Sequence, residues 1–267
     1  MTPHRFSSSP SGAWIKPILP RPQSPSLRLF CFPYAGGGAS IFRNWPSGLP
    51  PHVDVVAVQL PGREERIVET PINDLQPLLE AILRAMRPHL DLPFALFGHS
   101  MGALLAFEVA HRLEREGNPC AKLIASGCRA PHLPSLDEPV SHLPNELLVE
   151  EMRRFNGTPS EILVDREMLD LVLPAFRADL AICERYLAAE EARPLSCPIT
   201  AFGGLQDAEV GAPAIVDWKR HTSAAFTHRM FPGGHFFVNE QRPSVLRALS
   251  IDLARAAAVP RLSSAAR

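Results

Sequence analysis

Phe94-Ala95-Leu96-Phe97-Gly98-His99-Ser100-Met101-Gly102-Ala103-Leu104-Leu105-Ala106-Phe107 places a single serine between two elements of regular structure. An apolar run of strand length leads into a turn in which glycines bracket one serine, and an apolar helical pattern leads out of it. The glycines admit a turn that side chains would crowd. Such a turn lifts a serine hydroxyl above the edge of a sheet and aims the next backbone N–H at a reacting carbonyl. Strand, serine turn and helix in that order are the nucleophile elbow of serine hydrolases. A mere tight turn would need only the glycines, whereas here both flanking elements are present as well. His99, next to the serine on a sharp turn, reads as packing or as part of a substrate wall.

Working outward, residues 27–32, 53–58, 122–125, 199–202 and 227–231 are further short apolar runs, each closed by glycine, proline or a polar turn. Several have the look of parallel strands buried on both faces. Leu75, Leu78, Leu79, Ile82, Leu83 and Met86 mark one face of a helix that Pro88 would end. Helices are also expected over 101–116, near 214–224 and over 243–257. Strands alternating with helices predict an α/β fold, a mostly parallel central sheet flanked by helices on both faces.

Residues 131–191 break that rhythm. Leu169, Val172, Leu173, Phe176, Leu180, Cys183 and Leu187 form a helical stripe that Pro174 must kink or divide, and a shorter amphipathic piece covers 145–155. This section follows a strand and lies between the serine and the other catalytic candidates, so it reads as an inserted helical lid. Ordinary core helices would leave the same stripes. Residues 1–26 contain six prolines and many serines, with little apolar surface to bury, and read as a disordered arm touching the body through Trp14 and Ile15. The hydrolase domain is expected over 27–257, with a flexible tail over 258–267.

Composition narrows the partners. Twenty-seven basic against 28 acidic side chains give a formal charge of -1, which offers no overall field for nucleic acid or anionic lipid. Cys31, Cys120, Cys128, Cys183 and Cys197 form neither a CxxC pair nor a dense disulfide framework. No apolar run approaches the roughly 20 residues of a membrane span, and the first residues lack a signal-peptide core. A cytoplasmic monomer with reduced cysteines is the expectation.

A serine hydroxyl is a weak nucleophile and needs a base, which in turn needs an acidic group to hold its tautomer. His235 stands in Phe231-Pro232-Gly233-Gly234-His235-Phe236-Phe237, just beyond the last expected strand; Asp207 follows the preceding strand in Phe202-Gly203-Gly204-Leu205-Gln206-Asp207. The chain order Ser100, Asp207, His235 is that of the α/β-hydrolase triad. Glu209 and Asp217 are rivals for the acid, although neither follows the glycine turn as directly. For the oxyanion, Met101 supplies one N–H and the loop Phe32-Pro33-Tyr34-Ala35-Gly36-Gly37-Gly38 the other, with Ala35 the first choice and Tyr34 and Gly36 its rivals. That glycine run lacks the lysine and the spacing of a nucleotide cradle.

Four ordered motifs carry a family resemblance: Phe32-Pro33-Tyr34-Ala35-Gly36-Gly37 with Phe42 and Trp45; Gln59-Leu60-Pro61-Gly62-Arg63-Glu64-Glu65-Arg66; the elbow; and Phe231 to Phe237. Over about residues 29–253 the chain resembles the type II thioesterases of modular polyketide synthases and nonribosomal peptide synthetases. The second motif is the most diagnostic, because generic esterases share the serine turn without it. The resemblance implies the α/β-hydrolase fold with a helical lid over an acyl pocket, Ser100, Asp207 and His235 as the triad, and Ala35 and Met101 as oxyanion donors. It implies an editing activity on acyl thioesters carried by the phosphopantetheine arm of acyl or peptidyl carrier proteins, with no metal or other cofactor. Tyr34, Phe155 and Phe176 are the candidate acyl contacts, and Arg153, Arg154 and Arg177 either meet an acidic carrier helix or are merely solvated. Cys128 departs from the family, where a basic residue often stands.

Other readings share these motifs. A small-molecule carboxylesterase or lipase would prefer oxygen esters, and a medium-chain fatty acyl thioesterase would differ in chain preference. A chain-releasing domain excised from a synthetase would differ in its surroundings. A non-catalytic carrier-binding protein would keep the fold but not the triad.

Overall fold

In the computed structural model, which describes residues 14–134, 138–186 and 193–256, the apolar runs build one seven-stranded sheet. Its strands are β1 (Ile15–Pro17), β2 (Leu27–Phe32), β3 (Val53–Val58), β4 (Phe94–His99), β5 (Lys122–Ser126), β6 (Ile199–Gly204) and β7 (Phe226–Phe231). Their spatial order is β1-β3-β2-β4-β5-β6-β7. β1 lies antiparallel to β3, and every other pairing in the sheet is parallel. The helices are α1 (Leu75–Met86), α2 (Met101–Arg115), α3 (Asn145–Phe155), α4 (Ser160–Val164), α5 (Arg166–Glu184), α6 (Ala212–Val216), α7 (Phe237–Glu240) and α8 (Arg242–Ala256).

Alternation along the strands sorts two cores. Phe30 and Phe32 of β2 join Val56, Val58 and Leu96 on the face covered by α1 and α2. Leu27, Leu29 and Cys31 point the other way and join Val55 and Phe97, with Val245, Leu249 and Leu253 of α8 covering them. Both faces are therefore buried, as an α/β-hydrolase fold requires, and the parallel strands bring their C-terminal ends to one edge. The helix expected over 75–86 has these bounds because Asp74 caps its start, accepting from the Gln76 N–H at 3.1 Å, and the chain passes into a 3-10 turn at Arg87-Pro88-His89.

The insertion between β5 and β6 holds α3, α4 and α5. Leu148, Val149, Met152, Leu173, Phe176 and Leu180 form a small cluster of their own, whereas Ile182 at the end of α5 joins the main core. Pro174 sits inside α5, which continues through it rather than dividing there. Residues 135–137 and 187–192 of this section, together with 1–13 and the tail over 258–267, lie outside the described residues.

Two expectations need correction. Residues 14–26 are not a disordered arm: Ile15 and Pro17 pair with Val58 and Val56, and Gln59 N–H donates to the Trp14 carbonyl at 2.8 Å. Pro17 is admitted because β1 is an edge strand, where a missing N–H leaves no ladder bond unmade. The Arg66 guanidinium lies 4.2 Å from the Trp14 ring centroid, and Arg21 pairs with buried Asp54 at 2.7 Å. The helix expected near 214–224 is instead the short α6 followed by a 3-10 turn over Asp217–His221. Packing of Trp218 and His221 against Phe107, and the Leu195 N–H bond to the His221 carbonyl at 2.9 Å, end it before β7.

Candidate active site

Ser100 links β4 to α2 with φ 54° and ψ -122°, a conformation that strains any residue with a side chain. Its neighbours have to be glycines for reasons of space. A Cβ on Gly98 would lie 2.0 Å from the Gly102 carbonyl oxygen, and one on Gly102 would lie 2.2 Å from the Phe32 carbonyl oxygen. The turn is held by the Ser100 N–H donating to the Ser126 carbonyl at 2.8 Å and by the Ala103 N–H donating to the Ser100 carbonyl at 2.9 Å. Met101 opens α2, so its N–H is one of the first-turn donors that a helix leaves without an intrahelical acceptor.

His235 lies in the turn after β7, and its Nδ1 is 2.9 Å from Oδ2 of Asp207. The carboxylate is fully buried, while the imidazole keeps 12% of its surface exposed. Oδ1 of Asp207 accepts from the N–H groups of Glu209 at 2.9 Å and Val210 at 3.1 Å. An ionised carboxylate can only accept, so the contact with His235 requires the proton on Nδ1 and leaves the Nε2 lone pair available.

Ser100, Met101, Ala35 and His235 line a single cavity of about 200 Å³, with Tyr34, Phe155 and Phe176 also on its wall. Asp207 stands behind His235, outside the lining. The rivals for its place are otherwise engaged: Glu209 pairs with Arg154 at 2.6 Å, and Asp217 lies 3.6 Å from His132. Among the rival oxyanion donors, the Gly36 N–H is taken, because it donates to Asp179 Oδ2 at 2.7 Å.

His99 belongs to the packing beneath the site. It is buried, its Nδ1 is 2.9 Å from the Ser126 hydroxyl, and its ring is 5.3 Å from that of His235. Burial and the neighbouring His235 hold its pKa well below the usual value, so it stays neutral. Cys128 is on the cavity wall, where burial pushes its thiol up to about 12, away from nucleophilic duty.

Arg153, Arg154 and Arg177 all have partners within the chain. Arg153 pairs with Glu150 at 2.5 Å, Arg154 with Glu151 at 2.8 Å, and Arg177 donates to the Leu143 carbonyl and to Asn145, both at 2.7 Å. Leu133, Val140 and Tyr186 also line the cavity and were not singled out in the sequence. Nor was the buried pair of Arg63 and Asp179. Asp179 falls three residues after Phe176, on the apolar stripe of α5, and an acid in that position is a legible sign of a buried partner.

The family described as thioesterase domain matches residues 27–253. The gramicidin S biosynthesis protein GrsT of Aneurinibacillus migulanus is 42% identical over 217 residues, 81% of this chain and 84% of that protein. The RedJ thioesterase of the prodiginine pathway in Streptomyces coelicolor is 42% identical with a TM-score of 0.79, covering 85% of this chain and 86% of that one. The type II thioesterase BorB of the borrelidin cluster is 36% identical with a TM-score of 0.83, covering 93% and 99%.

Proposed function

The chain belongs to the thioesterase family, as a type II thioesterase of polyketide and nonribosomal peptide biosynthesis, and from that premise we propose that Ser100, His235 and Asp207 form its catalytic triad. The enzyme is a serine hydrolase that removes acyl groups from the phosphopantetheine arms of carrier proteins, an editing activity that frees arms blocked by aberrant or stalled units.

The chemistry follows from the tautomer. His235, its Nδ1–H donating to Asp207 and kept by the ring, takes the Ser100 proton on Nε2 as Oγ attacks the thioester carbon. The carbonyl π electrons move onto oxygen, and the N–H groups of Met101 and Ala35 hold the oxyanion. Collapse breaks the carbon–sulfur bond. The departing thiolate takes the proton from the imidazolium, and an acyl-serine remains. Water then attacks that ester, losing a proton to Nε2, and the second collapse releases the carboxylic acid and returns the proton to Oγ. A thiolate is a good leaving group, so discrimination falls to the pocket and to the carrier. Tyr34, Phe155 and Phe176 line the acyl path in this reading. Among the described residues no helix is long and apolar enough to cross a membrane. The five unpaired cysteines fit a reducing, cytoplasmic setting.

The observation that carries the reading is the 2.9 Å contact between Asp207 and His235, a residue that lines the same cavity as Ser100. The test compares hydrolysis of acyl-loaded carrier protein, the matching acyl thioester and the matching oxygen ester, together with labelling by a fluorophosphonate. Ser100→Ala is expected to abolish both turnover and label. Preference for the oxygen ester would make the protein a carboxylesterase, and a label that survives Ser100→Ala would remove Ser100 from the triad.

A further inference from the structure

The most diagnostic motif, Gln59 to Arg66, contributes no atom to the chemistry above, and its bonds show where it acts. Gln59 Oε1 accepts from the Ala39 N–H at 2.7 Å, and Glu64 Oε1 accepts from the Ser40 N–H at 3.0 Å. Arg63 reaches the same loop directly, donating to the Gly37 carbonyl at 3.5 Å, and through a third residue. Its Nη1 and Nη2 donate to the two carboxylate oxygens of Asp179 at 2.5 and 3.0 Å, and Asp179 Oδ2 accepts from the Gly36 N–H at 2.7 Å. The loop between β2 and residue 40 is thus held at three of its N–H groups, and Gly36 is the residue after Ala35.

Asp179 comes from α5, in the inserted section. The pair it forms with Arg63 is almost dry, the side chains being 1% and 6% exposed. Phe176, one turn earlier on α5, closes on the same glycine. Gly36 has φ +76°, a conformation that favours glycine, and a Cβ there would sit 3.2 Å from the Phe176 ring, closer than an ordinary contact. The peptide joining Ala35 to Gly36 therefore has its far end fixed by a carboxylate, which in turn is fixed by a two-pronged guanidinium. Charged groups buried this deeply add little net stability over an apolar pair of the same size, so stability alone does not account for them here.

We propose that Asp179, held by Arg63, is a positioning residue for the oxyanion hole: it sets the Gly36 peptide so that the Ala35 N–H points at the developing oxyanion, and it makes α5 part of the catalytic frame. This rests on the reading of Ala35 as a donor. It also gives the diagnostic motif a purpose, since Gln59, Arg63 and Glu64 are the residues that clamp the loop. The inserted helices then act on the reaction as well as on the pocket.

The test uses Asp179→Asn and the double variant Arg63→Met with Asp179→Leu, assayed on acyl-loaded carrier protein after counting intact sites by fluorophosphonate titration. Per intact site, kcat is expected to fall by about 10- to 100-fold in both, with KM changed by less than about threefold. Affinity for a trifluoromethyl ketone, whose adduct with Ser100 bears the oxyanion, should fall by the same factor as kcat. The double variant, whose apolar pair leaves no unpaired charge, is expected to keep the wild-type melting temperature without regaining kcat. A double variant with wild-type kcat, or a loss explained wholly by fewer intact sites, would overturn the proposal and leave the pair a structural one. Ala35→Pro, which deletes the donor N–H, separates the two layers. If kcat is lost in Ala35→Pro and kept in Asp179→Asn, the brace alone is wrong; if Ala35→Pro leaves kcat unchanged, the donor assignment fails and the brace with it.

Discussion

The two oxygens of Asp207 have different work, and that division sets what a single atom change does. Oδ1 accepts two backbone N–H groups, and Oδ2 accepts the Nδ1 proton of His235. In Asp207→Asn one of these positions becomes an NH2 donor. Facing the backbone, it would oppose two N–H groups; facing His235, it would force the proton from Nδ1 to Nε2 and remove the lone pair that the serine needs. The second arrangement opposes fewer donors, so the variant is expected to fold while kcat drops by about 10³- to 10⁴-fold. Its checks are steady-state hydrolysis of an acyl thioester and an unchanged melting temperature. The serine and the histidine of the proposed triad stood out because each sits in a glycine turn after an apolar run. The proposed acid stood out only as the first of three candidates. What separates Asp207 from Glu209 and Asp217 is a set of loop hydrogen bonds and an ion pair to Arg154 in the insertion, and neither has a local pattern in the chain.

At the scale of elements, periodicity located what depends on periodicity. α1 and α3 have the bounds that their apolar stripes imply, and the six longer strands differ from expectation by no more than two residues at an end. β1 escaped because three residues are too few for an alternating pattern, and its proline reads as a breaker until the edge position is known. Its attachment is a matter of tertiary contacts: Trp14 is buried against the main core and under Arg66, and Lys16 pairs with Glu65. Trp14→Ala is therefore expected to cost about 3 kcal/mol, the lower end of the range for removing a buried tryptophan, since one face of the ring meets a guanidinium rather than hydrocarbon. Urea denaturation with an unchanged m-value would report it. A loss below about 0.5 kcal/mol would mean that the arm is docked without contributing to stability. Pro174 errs in the other direction, a strong breaker signal inside a helix that continues. α5 is packed along its length by the insertion cluster, the buried Asp179 and the main core, and tertiary packing overrides the local penalty.

For the molecule as a whole, net charge near zero conceals an asymmetry in how it meets acid. Burial lowers the pKa of His99, His111 and His89 from the ordinary 6.5, and burial together with the neighbouring His132 and His111 brings His221 to about 4. Each of these groups is a base whose folded pKa lies below its unfolded one, so between the two values the unfolded chain binds more protons, and stability rises with pH. Their contribution is complete above about pH 6.5 and is lost as the pH falls toward about 4, before most carboxylates are protonated. The His132–His221 contact shows why the lost stability is local as well as global. Nδ1 of His132 and Nε2 of His221 are 2.9 Å apart and share one proton as donor and acceptor; a proton added to the accepting nitrogen sets two N–H groups against each other. Asp217, 3.6 Å from His132, offsets part of that repulsion but not the burial of His221 against Phe107 and Trp218. Because His132 stands where the chain leaves the sheet for the insertion, acid is expected to loosen that junction first. The urea midpoint should be level above about pH 6.5 and fall below it, and His221→Gln should make the fall shallower. Proteolysis in native buffer should cut near residue 132 sooner at pH 5 than at pH 8. A midpoint that stays level down to about pH 4.5 would mean that these histidines are protonated as easily in the folded chain as in the unfolded one, and that the cluster near His221 is open to water.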